Sequence, residues 1–500
     1  MVKLNRRQFL GMAAAGACMN AGFGWAAETA AAPAVSTGKR PYNVLHIMSD
    51  DLCTRLGCYG WGVKSPNIDR LAQRGVRFER AYCQYPLCNP SRASYMTGLR
   101  PDTTKVITNQ IHFRDTVRDA VTIPQSFQDA GYSVARVGKI YHYGVPRQIG
   151  TDGLDDPASW EKVVNPCGRD VDDISMVEVL RLGPDGKART ETGKRLQDTG
   201  ATLSWLAAEG TDAEQTDGLG ATAAVDMLEM YAKGAKPFYL AVGFYRPHTP
   251  FVAPKDYFGL YPRDRIEVPE VPPNLKDLFP AAALFRQKPQ QVAMDTDLRK
   301  MAIQAYYAST TFMDAQVGRL LDALDRLGLA ENTIVVFHSD HGYQLGERDL
   351  WQKMTLFEEA ARVPMIISVP GNKANGRVCG RPVELVSLQK TLTDLAGVGE
   401  EAKAEGHSMR PLVNDPDAQW DYPAFTQVTH RKSKMGGLGV LAGRSVRTER
   451  WRYTEWNEGR DGAELYDHET DPREMKNLAE DAAYAERANK LKALLSAGGA

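Results

Sequence analysis

Short apolar runs of strand length alternate with helical patterns along most of this chain. Four of those runs end in unusual polar residues. The run 43–48 leads to Ser49, Asp50 and Asp51. The run 132–137 leads to Gly138, Lys139, Ile140, Tyr141 and His142. The run 238–244 is followed by Arg246, Pro247 and His248, and the run 333–337 by His338, Ser339, Asp340, His341 and Gly342. Between them, 66–74, 90–98, 123–130, 220–232 and 298–327 carry helical patterns, several stopped by glycine. This alternation predicts an α/β fold with a large, mainly parallel sheet flanked by helices. Ligands bind such open sheets beyond the carboxyl ends of the strands. The four polar clusters are therefore expected to converge, although they span much of the chain.

Two stretches interrupt the alternation. Residues 150–215 are rich in Gly, Asp and Thr, and residues 262–295 in Pro; both read as surface insertions over the site. The pattern changes after about 370. Strand character at 445–456 and a terminal helix at 482–495 predict a smaller C-terminal α+β subdomain, with a small antiparallel sheet, over 371–500. The catalytic domain is then 40–370. At the other end, Asn5-Arg6-Arg7-Gln8-Phe9-Leu10 and the Ala-rich stretch after it read as a twin-arginine signal over 1–27, with a linker at 28–39. The expected location is periplasmic or secreted, with no stable membrane insertion. Ala15-Gly16-Ala17-Cys18 is a weak alternative lipidation site. Lys+Arg number 61 against Asp+Glu 62, so the basic excess that a nucleic-acid partner requires is missing.

The acids come first in the chemistry. Asp50, Asp51 and Asp340 offer hard oxygen ligands suited to Ca²⁺ or Mg²⁺, and Ca²⁺ tolerates irregular geometry better. His341 is either a further ligand or a hydrogen-bond donor beside the metal. Cys88 sits just before a helical pattern, whose N-terminal dipole favours negative charge, with Arg92 one turn on. That reads as a reactive thiolate or as a buried structural cysteine. A rival reading pairs Cys53/Cys58 with Cys83/Cys88 around zinc or an iron–sulfur cluster. The seven cysteines, with Cys18, Cys167 and Cys379, are odd in number and irregular in spacing, which is no disulfide framework. His46 and His338 read as structural.

Cys88-Asn-Pro-Ser-Arg92, followed by Ala93 to Pro101 with Thr97-Gly98 inside, resembles the signature of the type I sulfatases. The variants around Asp50-Asp51, Lys139, Arg246-Pro-His248, Asp340-His341 and Trp351-Gln-Lys353 look most like the iduronate-2-sulfatase group of that family. The resemblance implies an alkaline-phosphatase-like sulfatase fold. It implies that a formylglycine-generating or sulfatase-maturating enzyme oxidises Cys88 to formylglycine. Calcium would be held by Asp50, Asp51, Asp340, His341 and the modified Cys88. Arg92 would support the formylglycine, and Lys139, His142, His248 and Lys353 would surround the sulfate. The hydrated aldehyde attacks sulfur, His248 or Lys353 assists the leaving alcohol, and His142 takes the proton that lets sulfate depart as the aldehyde reforms. Trp351 and Arg447 are candidate sugar contacts. The expected substrate is a sulfated saccharide, a uronate 2-O-sulfate of a glycosaminoglycan or algal polysaccharide. The alternatives are a phosphodiester or phosphonate monoester hydrolase with the same modified cysteine, and a non-catalytic cysteine-ligated metal or cluster protein.

Overall fold

A computed structural model describes residues 41–192, 200, 202–399, 401–431 and 439–498. The twin-arginine segment, the linker and Cys18 lie outside the described residues. Residues from Pro41 onward form one compact unit. Its centre is an eight-stranded sheet. In spatial order the strands are Val378–Glu384, Val76–Tyr82, Arg362–Ser368, Thr333–Ser339, Asn43–Ser49, Phe238–Phe244, Ser133–Gly138 and Lys162–Val164. Every neighbouring pair runs parallel except where Arg362–Ser368 lies reversed between its two neighbours. This is the mixed, mainly parallel sheet that the sequence predicts.

The three central strands are buried along their whole length. That follows from helices covering both faces, which is why these strands read as continuous apolar runs. Leu45 and Ile47 face the long helix Thr296–Arg326 and the helix Thr216–Ala232 through Met313, Val317, Leu320, Ala224 and Leu228. Val44 and Met48 face the helices Cys88–Thr97, Ile123–Asp129 and Leu388–Ala396 through Tyr95, Met96, Phe127, Leu388 and Leu392. Asp295 caps the long helix by accepting from the Leu298 N–H at 2.9 Å, and Gly328 stops it with φ of 66°.

Strand register brings the polar strand ends together. Ser49 pairs with both Ser339 and Phe244, and Gly138 pairs with Gly243, so the four strands end level with one another. Gly243 is required there, because a Cβ on it would lie 1.9 Å from the Lys139 carbonyl oxygen. The absent side chain lets the 138–142 loop cross close to its neighbour.

Two expectations need correction. The stretch 150–215 is not only a surface insertion. It supplies Glu178–Leu182, Ala188–Glu191 and Ser204–Ala208, which join Phe251–Pro254 in a second four-stranded sheet. Trp205 and Leu206 pair in parallel with Phe251 and Val252 and are buried. The change of sequence pattern near 370 also does not mark a sheet boundary. Val378–Glu384 still forms the edge of the large sheet, and the helix Leu388–Ala396 packs on its face. The separate antiparallel meander begins at Ala424, with strands Ala424–Arg431, Val440–Arg447, Trp451–Trp456 and Ala463–Asp467. The terminal helix Ala485–Gly498 packs on it through Leu491 and Leu495. The stretch 262–295 carries only short helical turns; Leu275, Phe279 and Leu284 bury themselves against Tyr85 and Leu87. No helix among the described residues is long and apolar enough to cross a membrane.

Candidate active site

The four level strand ends deliver their polar residues to one buried centre. Consecutive strand residues point to opposite faces. Asp51 escapes that rule because its φ is 64°, a left-handed turn that costs a non-glycine residue on the order of 1 kcal/mol. Leaving the pleat there allows Asp50 and Asp51 to face the same point. One ligand atom from each of Asp50, Asp51, Cys88, Asp340 and His341 lies within 4.8 Å of all the others. All five residues are buried.

Cys88 opens the helix Cys88–Thr97 rather than preceding it, and its cap, Leu87, offers no side-chain acceptor. The first-turn N–H groups therefore lend their partial positive charge to the Cys88 position. Arg92, one turn on, is wholly buried and fully engaged. Its Nε donates to Asp340 at 2.9 Å, its Nη2 to Asp50 at 3.0 Å, and its Nη1 to the carbonyls of Lys139 and Ile140 at 2.8 Å each. Arg92 thereby ties three of the strand ends to the Cys88 helix.

Lys139 Nζ donates to Asp50 at 2.5 Å. Lys353 Nζ donates to Asp51 at 2.5 Å and lies 3.2 Å from Cys88 Sγ. His341 Nδ1 donates to the Gly342 carbonyl at 2.9 Å, so Nε2 is the nitrogen turned to Cys88 Sγ (3.4 Å) and Asp51 (3.3 Å). His248 is held the same way: Nδ1 donates to the Thr249 carbonyl at 2.6 Å, leaving Nε2 3.8 Å from Asp51. His142 lies beside the Cys88 side chain, and its Nδ1 is buried without a hydrogen-bond partner. The groups retaining some exposure are His142 and His248, each 7%, and Lys353, so these line the mouth above a buried floor.

The electrostatics follow from this packing. Burial pushes the Cys88 thiol up, but Lys353, Lys139 and His341 outweigh it and hold it well below the usual thiol range. Burial likewise opposes ionisation of Asp50, and Lys139 reverses the balance, keeping the carboxylate charged. Asp340 is raised by burial to about 6, and His341, beside it, is raised to about 9 against the desolvation cost. Burial lowers His142 to about 4, so it is neutral near pH 7.

One atom tests whether this cluster suits a cation. Asp51 Oδ2 is buried and has no hydrogen-bond partner. An orphaned carboxylate oxygen is costly in a protein interior. Converging with three other carboxylate and imidazole ligands, it fits a hard metal ion, which prefers such oxygen-rich sets.

The sulfatase family pattern matches residues 42–398, and a second pattern, the C-terminal part of N-sulphoglucosamine sulphohydrolase, matches 346–498. This chain belongs to the sulfatase family. Human iduronate 2-sulfatase is 34% identical over 482 residues, covering 83% of this chain and 84% of that protein. A sulfatase of Formosa agariphila is 33% identical over 475 residues, covering 91% of this chain and 86% of that one. In fold it is similar to the phosphonate monoester hydrolase of Silicibacter pomeroyi, with a TM-score of 0.72, 22% identity, and coverage of 91% of this chain and 94% of that one. The protein is accordingly a sulfuric ester hydrolase.

Two candidates named from the sulfatase sequence do not reach the site. Trp351 is packed among Tyr343, Leu345 and Phe251 in an interior cluster, 1% exposed, and offers no face to a sugar. Arg447 is buried between Glu358, 3.5 Å from its Nε, and the Tyr82 ring. The cysteine-cluster reading fails as well: among the described residues the groups able to hold a metal contain no cysteine but Cys88, and Cys53, Cys58, Cys83, Cys88, Cys167 and Cys379 are free thiols. His46 and His338 are both buried, and their Nε2 atoms lie 2.6 Å apart, a pairing the sequence did not suggest.

The acids that hold the His248 loop leave no local mark in the sequence. Asp217 accepts from the backbone N–H groups of Tyr245 and Arg246 at 2.8 and 2.9 Å. Asp170, from the 150–215 stretch, pairs with the Arg246 guanidinium and accepts from the Thr216 N–H at 2.9 Å. Only a shared fold, not spacing, connects these residues.

Proposed function

We propose that this sulfatase is an exported enzyme that removes the 2-O-sulfate of a uronate within a glycosaminoglycan or algal saccharide. The observation that carries the reading is the ring of Lys139, Lys353, His142 and His248 around the Cys88 position, above an acid set shaped for a cation. Asp50, Asp51, Asp340 and His341, with residue 88, would hold Ca²⁺, which would supply Lewis-acid stabilisation of an anionic oxygen. Oxidation of Cys88 by a maturating enzyme would give an aldehyde; adding water to it makes a gem-diol, one hydroxyl of which attacks sulfur while the second, on losing its proton, expels sulfate and reforms the aldehyde.

The side chains have distinct tasks. Lys139 and Lys353 bind the sulfate oxygens and stabilise the charge that builds on them. His248 Nε2 faces the leaving oxygen and moves the proton it needs, while Thr249 fixes the other nitrogen. His142, held neutral beside Cys88, accepts a proton. Arg92 holds Asp50 and Asp340 in place. The name of the human relative supports the uronate, and the Arg6-Arg7 segment supports export.

The test is sulfate release from a uronate 2-O-sulfate disaccharide by protein from its native host, with mass spectrometry of the peptide spanning Cys88. Expected are an aldehyde mass at Cys88, loss of turnover in Cys88→Ala, and loss on chelation restored by Ca²⁺. An unmodified thiol throughout removes the proposed nucleophile, and activity on phosphate or phosphonate esters alone moves the reading to that class.

A further inference from the structure

The backbone that carries Lys353 is left-handed to a degree found nowhere else among the described residues. Arg348, Asp349, Gln352 and Met354 have φ of 55°, 53°, 77° and 68°, and Gly346 just before them has 108°. Glycine takes such angles without steric cost, whereas a Cβ crowds the following carbonyl there. Strained non-glycine residues persist only where their surroundings over-determine them, and they gather at functional sites. Lys353 stands between two of them, and its neighbours turn away from it. Trp351 is sealed in the cluster with Tyr343 and Phe251, and Met354 packs against the cluster of Tyr85 and Leu87. Lys353 Nζ instead reaches the buried centre, 2.5 Å from Asp51 and 3.2 Å from Cys88 Sγ.

The contacts at the tip of this turn show what holds it. Gln344 and Leu345 pair with Gln352 and Trp351 in a short ladder that residues 346–350 close. Charged side chains in a row at the tip each run to a different part of the molecule. Glu347 pairs with Arg55, on the stretch that follows Asp51. Asp349 meets Arg299 of the long helix at 2.6 Å. Arg348 is 1% exposed and runs inward. Its Cζ lies 3.9 Å from the centre of the Phe357 ring and its Nη2 pairs with Glu359. Its Nη1 donates to the Arg473 carbonyl at 2.7 Å, beside Met475 Sδ. Its own carbonyl accepts from Gln287 Nε2 at 2.9 Å. At the other end of the turn the Met354 N–H donates to the carbonyl of Pro86, just before Cys88, at 3.0 Å.

We propose that Arg348 is a positioning residue for the sulfatase reaction: with Asp349 beside it, its buried guanidinium pins the left-handed turn and so sets the Lys353 ammonium against Asp51 and residue 88. The inference rests on the role given to Lys353 under Proposed function and deepens it. A lysine has a flexible four-carbon stem, so its ammonium is placed by where the backbone releases it. A turn with side chains at its left-handed positions relaxes when the contacts that hold those side chains are cut. A shift of about 1 Å at the lysine then costs on the order of 10²-fold in rate. The same contacts give the C-terminal segment at Arg473 and Met475 a hold on Lys353, through the carbonyl that takes the guanidinium proton.

A double-mutant cycle tests the proposal. Arg348→Met is combined with Glu359→Gln, so that no lone carboxylate is left buried. The pair is introduced into the wild type and into Lys353→Ala. Sulfate release gives kcat on a small aryl sulfate and on a uronate 2-O-sulfate disaccharide, with melting temperatures and the mass of the Cys88 peptide as controls. In the wild type the pair is expected to lower kcat about 10–10²-fold. In Lys353→Ala it should lower kcat by less than about 2-fold, because the group it positions is already gone. Arg348→Lys, which keeps a charge opposite Glu359, should recover part of the loss. If the first pair does not fold, Arg299→Gln carries the cycle; it frees Asp349 at the same tip and must show the same collapse. Equal losses in both backgrounds would make Arg348 a structural residue only and overturn the proposal. Full kcat in Lys353→Ala would instead overturn the role of the lysine, and the positioning role with it. Because the cycle is also read on the aryl sulfate, failure of the uronate reading alone does not touch it.

Discussion

Single side chains carry unequal burdens in this site, and Arg92 carries the most. It holds two buried carboxylates that otherwise repel each other, and two carbonyls of the Lys139 loop. Breaking a buried pair by removing one partner costs roughly 3–5 kcal/mol. Arg92→Ala should therefore lose both activity and several degrees of melting temperature, read by calorimetry alongside sulfate release. Lys353 differs, because it sits at the mouth and touches Asp51 and Cys88 without bracing the strands. Lys353→Ala should fold normally and lose about 10²–10³-fold in kcat, the scale of removing one group that stabilises developing charge. Equal losses in folding for the two variants would contradict this division of labour.

At the scale of elements, the His248 loop depends on groups outside it. Asp217 comes from the helix behind the loop, and Asp170 from the stretch that also builds the second sheet. Asp170→Asn keeps the shape but weakens the pairing to Arg246, so kcat/KM should fall about 10-fold through misplacement of His248. Steady-state assays would show the loss in kcat, with the mass of the Cys88 peptide unchanged from wild type. The C-terminal meander holds a different device. Glu464 accepts from the Trp456 indole N–H at 2.8 Å and the Tyr466 hydroxyl at 2.6 Å. Burial raises it to about 7, so the folded protein keeps a proton that the unfolded chain has lost. The stability this contributes is complete below the ordinary carboxyl range and is lost as pH rises towards 7. Glu464→Gln should therefore flatten the fall in melting temperature between pH 5 and pH 8; an unchanged slope would remove Glu464 as its source.

The whole molecule is held across the large sheet and the meander by one buried ionic network. Glu358, next to the reversed strand of the large sheet, accepts from the Tyr82 hydroxyl at 2.9 Å and pairs with Arg452 of the meander, which also meets Glu474 at 2.5 Å. Glu358, His468 and Glu474 lie close enough to share a cation, but the Arg452 guanidinium already fills that role. Arg452→Met should lower the melting temperature and make the meander more susceptible to limited proteolysis than the large sheet. Much of the molecule is legible in its residues. The strand–helix alternation points to the sheet. The polar strand ends point to Asp50, Asp51, Lys139, His142, His248, Asp340 and His341, with Cys88 and Lys353 following from the family signature. These are legible because parallel strands in register must end level, so strand-end residues become neighbours whatever lies between them. Trp351 and Arg447 fall elsewhere because composition does not say which side of a two-residue strand or a meander faces a pocket. The second sheet is hidden in the sequence because Ala188–Glu191 and Glu178–Leu182 are short and partly exposed, without the apolar pattern of a central strand. Sequence by itself determined which chemical groups the strand ends bring to one buried centre. Tertiary structure alone decided which strands adjoin, that Arg92 is committed to Asp50 and Asp340, and that Asp170 and Asp217 hold the His248 loop. The reason is that pairing of charges depends on contacts between segments hundreds of residues apart in some cases, and no local pattern encodes those.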